Sequence, residues 1–237
     1  MKAPHKILII RLSSLGDILH TLPAFYGLKE AYPQAQIDWL VDKNMSFLLS
    51  AVCGINEIIE IDLRAPRKSP GMGHAWKSVL DTVRKLRQKK YDISVDFQGL
   101  LKTAILGLAC GARTRFGFAK EVVRERPAHW FYHRLAGKKD QRTHVVELNK
   151  QLASAAGAGH FPESCKLRVF PKDEIAVKSR LQEEEIQDFL VLNPGGGWPT
   201  KVWKPSKYAL LSDLIQSELK LPVVVKLRVD LHRKADH

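Results

Sequence analysis

Cysteine is scarce in this chain. Cys53, Cys110 and Cys165 are the only three in 237 residues, far apart and without a C-x-x-C pair. That excludes a zinc ribbon and a disulfide framework, and makes free buried thiols in a reducing cytoplasm the expectation. Long apolar runs are missing as well: none approaches the roughly 18–20 residues that span a bilayer. The N-terminus has no signal-peptide layout, because Arg11 interrupts the first apolar stretch after Ile7-Leu8-Ile9-Ile10. No G-K-[ST] sequence ends a glycine loop, so there is no Walker A site. No D-x-D or histidine-rich spacing stands at a strand end, so neither a metal nor a cofactor is expected. Acidic residues run short, 25 against 38 Lys and Arg, for a formal charge of +13. Such an excess calls for an anionic partner: nucleic acid, anionic lipid or a phosphorylated substrate. No nucleic-acid-binding signature accompanies it. Nucleic acid is therefore not expected, and a basic face for an anionic lipid headgroup is favoured over a merely solvated basic surface.

The informative stretch is near the start. Lys6-Ile7-Leu8-Ile9-Ile10 has the length and continuous apolar character of a parallel strand covered on both faces. From Leu15 onward the apolar period becomes helical, through Leu15, Leu19, Leu22 and Tyr26, with a kink expected at Pro23 and an end at Tyr32-Pro33. Ser13, Ser14, Gly16 and Asp17 fill the turn between. A strand–turn–helix of this kind puts Asp17 at the carboxyl end of a parallel strand, where open α/β sheets bind ligands, beside helix N–H groups that favour anions. Asp17 or Ser14 is equally readable as a helix cap, and Gly16 as a turn residue.

The β-α pattern repeats. Strands are expected at 37–41, 58–62, 91–97, 113–118 and 166–170, and helices at 75–90, from 101 and at 205–219, the last opened by Pro205, which argues for a doubly wound parallel sheet. Two loops stand out. Arg64 to His74 is rich in proline, glycine and base, and Arg64, Arg67 and Lys68 suit phosphate or carboxylate oxygens. Pro194 to Pro205 carries Gly195, Gly196 and Gly197, whose backbone N–H groups can face a phosphate, with Thr200 and a mobile cation at Lys201. Gln98, at another strand's carboxyl end, either shares the cleft with Asp17 or is a turn residue. The face of helix 75–90 bearing Lys77, Arg84, Lys85 and Arg87 is as readily a solvated face as a lipid-contacting one.

The run R-L-S-S-L-G-D-I-L-H-T-L-P-A at residues 11–24 resembles the N-terminal motif of the bacterial lipopolysaccharide heptosyltransferases, and D-F-Q-G-L at 96–100 resembles the second signature of that family. The resemblance implies two Rossmann-like doubly wound domains of GT-B type, the second incomplete. It places an acceptor-binding domain at 1–160 and part of a nucleotide-sugar-binding domain at 161–237, with a linker near Gly157 to Pro162. It also implies an inverting, metal-independent transfer of heptose from ADP-heptose to Kdo-lipid A. Asp17 would then be the general base, with Ser14, Gly16, Arg64, Arg67, Lys68, Gln98 and Arg124 (Arg126 as alternative) on the acceptor side. Gly195, Gly196, Gly197, Thr200 and Lys201 would hold the donor. A cytoplasmic protein peripherally bound to the anionic inner face of the membrane fits this reading. Its rivals are a heptosyltransferase with another acceptor and a non-catalytic anion-binding module. After about residue 225 the resemblance stops, and the family's donor-holding glutamate and D-T-G-x-x-H segments have no counterpart. The tail reads as a shifted frame or truncated product, so poor donor affinity and no transfer by the 237-residue chain are expected.

Overall fold

The structure, a computed structural model, describes residues 3–63, 72–138, 140, 143–165, 167–195 and 202–226, with the backbone alone for 72–76. In chain order the elements are β1 (Lys6–Ile10), α1 (Leu15–Leu19), α2 (Leu22–Ala31), β2 (Gln36–Asp42), α3 (Ser46–Leu49), β3 (Glu57–Ile61), α4 (Met72–Gln88), β4 (Ile93–Asp96), α5 (Leu101–Ala109), β5 (Thr114–Phe118), β6 (Arg134–Ala136), α6 (Val145–Ala155), α7 (Pro171–Glu183), β7 (Leu190–Leu192), α8 (Pro205–Leu219) and β8 (Val223–Val225). Short 3-10 turns at Lys43–Met45 and Arg126–Phe131 complete the set.

The chain divides into two compact units, Met1–Arg168 and Val169–His237. In the first, six strands pair in the order β3-β2-β1-β4-β5-β6, and every pairing is parallel. β1 lies at the centre, and Ile7 through Ile10 are all 0% exposed, as a strand covered on both faces requires. Side chains alternate across the pleat. Ile7 and Ile9 join a core with Ile18, Leu22, Phe25, Leu28 and Leu152, under α1, α2 and α6. Leu8 and Ile10 join another with Val79, Leu86 and Leu106, under α4 and α5. Chain order reverses between β1 and β4, so the crevice outside the carboxyl ends of these two strands is the sheet's switch point.

Three local expectations change. The single kinked helix expected after β1 is two helices, broken at His20-Thr21. Pro23 has no N–H for the Leu19 carbonyl and its ring crowds that carbonyl, so α1 ends at Leu19. Thr21 Oγ1 donates to the Asp17 carbonyl at 2.8 Å and closes the turn. The strand expected at 166–170 is reduced, among the described residues, to one antiparallel bridge between Val52 and Leu167, with Arg168 N–H on the Ala51 carbonyl at 2.7 Å. Those bonds carry the first unit through Arg168, past the boundary expected at residue 160. Arg134–Ala136 adds an edge strand that three residues of weak pattern did not announce.

In the second unit β7 and β8 pair in parallel, and α8 runs between them in sequence. Apolar side chains remain open there: Ile175, Val177, Val191, Leu210 and Leu214 are all more than half exposed.

Candidate functional site

The switch point is assembled by hydrogen bonds between the segments that leave β1 and β4. Phe97 N–H donates to the Ile10 carbonyl, continuing the ladder one residue beyond β4. Gln98, 3% exposed, turns its side-chain carbonyl back, and Oε1 accepts from Leu12 N–H at 3.0 Å and Ser13 N–H at 3.2 Å. Gln98 therefore lies in the same crevice as Asp17 and clamps the turn that carries it. Asp96, 2% exposed, ends β4. Its Oδ1 accepts from Gln98 N–H at 2.8 Å and Gly99 N–H at 3.2 Å, and its Oδ2 accepts from Tyr132 Oη at 2.7 Å. Burial pushes the Asp96 carboxyl up, against those donors. Gly99 takes φ +66°, and a Cβ there would press on Val123, so glycine is required where the segment after β5 crosses it.

Asp17 lies at the rim, its side chain 18% exposed. Its Oδ1 sits 2.9 Å from Arg11 Nη2. Its Oδ2 accepts from Ser14 N–H and Ser14 Oγ, each at 3.2 Å. Arg124 Nη2 approaches both oxygens more loosely, at 3.4 and 3.3 Å, from a side chain half exposed to solvent. Burial by itself raises the Asp17 carboxyl, but the Arg11 guanidinium, the Ser14 N–H and Arg124 outweigh it and hold Asp17 below the usual carboxylate range. α1, of five residues, is too short for a sizeable dipole, and the Ser14 N–H that precedes it already serves Asp17. Gly16 lies inside α1 and not in the turn, and a Cβ on it would meet nothing within 4 Å.

Arg11, Gln98 and Arg124 also line a small cavity of about 60 Å³ floored by Phe97, Phe118, Val122, Val145 and Leu148. His144 is the N-cap of α6, its Nδ1 accepting from Val146 N–H at 3.3 Å. Gly195 lies exposed beyond the carboxyl end of β7 in the second unit. Gly196, Gly197, Thr200 and Lys201, and likewise Arg64, Arg67 and Lys68, lie outside the described residues. Among the described residues no group of three or more His, Cys, Asp or Glu side chains has the arrangement of a metal site.

The D-F-Q-G turn after β4 and the glycine-bearing segment after β7 fall within a stretch that matches a known family. A family profile described as glycosyltransferase family 9 (heptosyltransferase) matches residues 79–225. The chain belongs to glycosyltransferase family 9. Lipopolysaccharide heptosyltransferase 1 of Pseudomonas aeruginosa is 28% identical over 213 residues, covering 88% of this chain and 57% of that protein. Lipopolysaccharide heptosyltransferase 1 of Escherichia coli K12 is 32% identical over 153 residues, covering 62% and 46%. The chain spans about half the length of these curated relatives. Among solved structures, E. coli heptosyltransferase WaaC with ADP-2-deoxy-2-fluoro heptose superposes with a TM-score of 0.76 at 23% identity, over 95% of this chain and 70% of that one. E. coli ADP-heptose lps heptosyltransferase II gives 0.70 at 23% identity, over 93% and 63%. The fold of this family 9 chain is accordingly α/β of GT-B type.

Sequence reasoning missed Arg11, Asp96 and Tyr132. Arg11 carried a signal: a cation directly after five residues of buried strand is either exposed by a turn or held by an acid. Asp96 carried one too, as a carboxylate closing a strand whose other positions are apolar or small. Tyr132 is joined to Asp96 only through tertiary structure.

Proposed function

We propose that this family 9 protein transfers L-glycero-D-manno-heptose from ADP-heptose to a Kdo hydroxyl of Kdo-lipid A in lipopolysaccharide core assembly. The observation that carries the reading is Asp17: a carboxylate kept ionised at the rim of the switch-point crevice, with oxygens held by Arg11 and Ser14 and an exposed arginine beside it. An ionised carboxylate can take the proton of the acceptor hydroxyl as that oxygen attacks the anomeric carbon, inverting it, while the nucleoside diphosphate leaves. The charge needs no metal in this scheme, because cations and backbone N–H groups of the segment from Gly195 to Lys201 would meet the departing diphosphate. Arg124, with Arg64, Arg67 and Lys68, supplies cations for the acidic acceptor, and the open space over Gly16 leaves room for it. The net charge of +13 and exposed Lys77, Arg84, Lys85, Arg87 and Leu80 on α4 support docking at the anionic inner face of the membrane. Arg84 and Lys85 are partly spoken for by Asp81 and Glu57. Among the described residues no helix is long and apolar enough to cross a membrane.

The test is calorimetric titration of the purified chain with Kdo-lipid A in micelles and with ADP-heptose, alongside transfer of label between them. Saturable acceptor binding, with any transfer lowered about 10²–10⁴-fold by Asp17→Asn, is the expected result. Absence of acceptor binding, or transfer indifferent to Asp17, rejects the proposal.

A further inference from the structure

Arg11 poses a question that neither folding nor acceptor binding answers. Its side chain is 2% exposed in a molecule with ample basic surface. Taking a guanidinium out of water costs several kcal/mol, and buried ion pairs are often no more stabilising than apolar residues of the same size. A leucine or methionine would fill this place between β1 and β4 without that penalty. Burial indeed lowers the Arg11 pKa, a push that Asp17 and Asp96 resist from one side and Arg124 reinforces from the other.

The geometry around Arg11 is unusually complete at the backbone. Its N–H donates to the Leu40 carbonyl at 3.2 Å, and its own carbonyl accepts from Trp39 Nε1 at 3.1 Å. Trp39 is 0% exposed, so both bonds are fixed to the buried middle of β2. On the other side Nη1 donates to the Phe97 carbonyl, at the exit of β4. Arg11 is therefore held from both neighbours of β1, and its Nη2 is delivered to Asp17 Oδ1 at 2.9 Å. Neither Nε nor Nη2 makes a hydrogen bond among the described residues, so the guanidinium gives one hydrogen bond to a carbonyl through Nη1 and one ion pair to a carboxylate through Nη2. Arg124, by contrast, reaches Asp17 from a half-exposed loop side chain at 3.3–3.4 Å.

We propose that Arg11 is a positioning residue: a buried guanidinium, anchored on the β2 and β4 sides of the sheet, that fixes the Asp17 carboxylate in place at the crevice rim, where the reacting hydroxyl would meet it. This deepens the reading of Asp17 as general base and rests on it for the purpose, but not for the geometry. A guanidinium suits this better than a lysine ammonium, because two separate nitrogens meet a carbonyl and a carboxylate at once.

The experiment follows the Asp17 carboxyl carbon by NMR through a pH titration of the full chain, with the resonance assigned by its loss in Asp17→Asn. In the wild type Asp17 ionises below the exposed aspartates, and the Arg11 guanidinium nitrogens shift at the same midpoint. In Arg11→Met the proton affinity of Asp17 rises roughly tenfold or more, as expected when an opposite charge within hydrogen-bonding distance is removed, while Arg124 remains. Arg11→Lys falls between the two. An Asp17 titration in folded Arg11→Met that matches the wild type overturns the proposal and leaves Arg11 a packing residue. If that variant does not fold, the wild-type signals decide alone: guanidinium nitrogens indifferent to the ionisation of Asp17 overturn it equally. Failure of the base reading shows itself elsewhere, as transfer unaffected by Asp17→Asn, so the two ideas fall separately.

Discussion

Replacing Gln98 by methionine isolates the clamp at the switch point. Methionine has nearly the length and flexibility of glutamine, so packing changes by less than about 1.5 kcal/mol. What is lost is one oxygen that accepts from Leu12 N–H and Ser13 N–H, at 3.0 and 3.2 Å. The Leu12 bond is buried, and an orphaned buried donor costs about 1–3 kcal/mol. Ser13 is half-buried, so water recovers part of its loss. The sum is roughly 2–4 kcal/mol, a large share of the 5–15 kcal/mol typical of a domain. Urea unfolding of the full chain, followed by circular dichroism, should show the transition of the first unit moving to lower urea with its slope unchanged. The turn from Arg11 to Ser14 should also show faster amide exchange in hydrogen-exchange mass spectrometry, because its tie to the β4 exit is gone. A midpoint shift worth less than about 0.5 kcal/mol, the range of a neutral surface change, together with unaltered exchange at Leu12 and Ser13, would refute the clamp.

Tyr132→Phe removes the 2.7 Å bond to the buried Asp96 carboxylate and should destabilise the first unit by about 1.5–3 kcal/mol, read by the same urea titration. Gly117→Ala should be worse, since a Cβ there runs into the Tyr132 ring and drives it off Asp96; its melting temperature should lie below that of Tyr132→Phe. Asp17 is held below the unfolded-state value of about 3.9, so its ion pairs stabilise the fold above that pH, and the contribution disappears as pH falls through the lowered folded value; Asp17→Asn should flatten this limb of a melting-temperature profile taken from pH 5 downward. Arg124→Glu should weaken Kdo-lipid A binding and leave ADP-heptose binding unchanged, and equal loss of both in calorimetry would remove Arg124 from the acceptor side.

The layered sheet was legible because its signals are local and strong. A strand covered on both faces must be apolar at every position, and Ile7 through Ile10 are. α8, opened by Pro205 and carrying an uninterrupted helical pattern, begins and ends where the pattern does. Errors fell where tertiary structure decides. Pro23 broke the helix and did not merely bend it, because the rotated second segment lets Leu22, Phe25 and Leu28 reach the core beneath β1. Leu167 has strand-like neighbours, but among the described residues it bridges to Val52 alone and no strand propagates. The edge strand Arg134–Ala136 has two exposed residues of three and owes its conformation to β5.

The site was legible to the same extent and for the same reason. Asp17, Ser14 and Gln98 stand in contiguous motifs at strand exits, and a parallel sheet brings all such exits to one edge whatever the intervening sequence. Arg124 came from the family resemblance and not from its own neighbours, and the fold brings it to Asp17 across 107 positions of chain. Arg11 and Asp96 were passed over because a charge inside a buried stretch reads as an interruption. Their charges are instead absorbed by acceptors and donors that no linear pattern shows: the Phe97 carbonyl and Asp17 for one, Tyr132 and two backbone N–H groups for the other. That difference has a practical edge. A polar residue within one position of a buried strand's carboxyl end marks a place where the sheet tolerates desolvation in exchange for geometry, and such residues in the other βα exits are where further site residues should be sought first. In β2 that residue is Asp42, 8% exposed, whose Oδ1 accepts from Asn44 N–H at 3.0 Å and Asn44 Nδ2 at 2.9 Å. There the carboxylate caps a 3-10 turn and lies on the far side of β1 from β4, so the rule separates a structural acid from a functional one only after the sheet order is known.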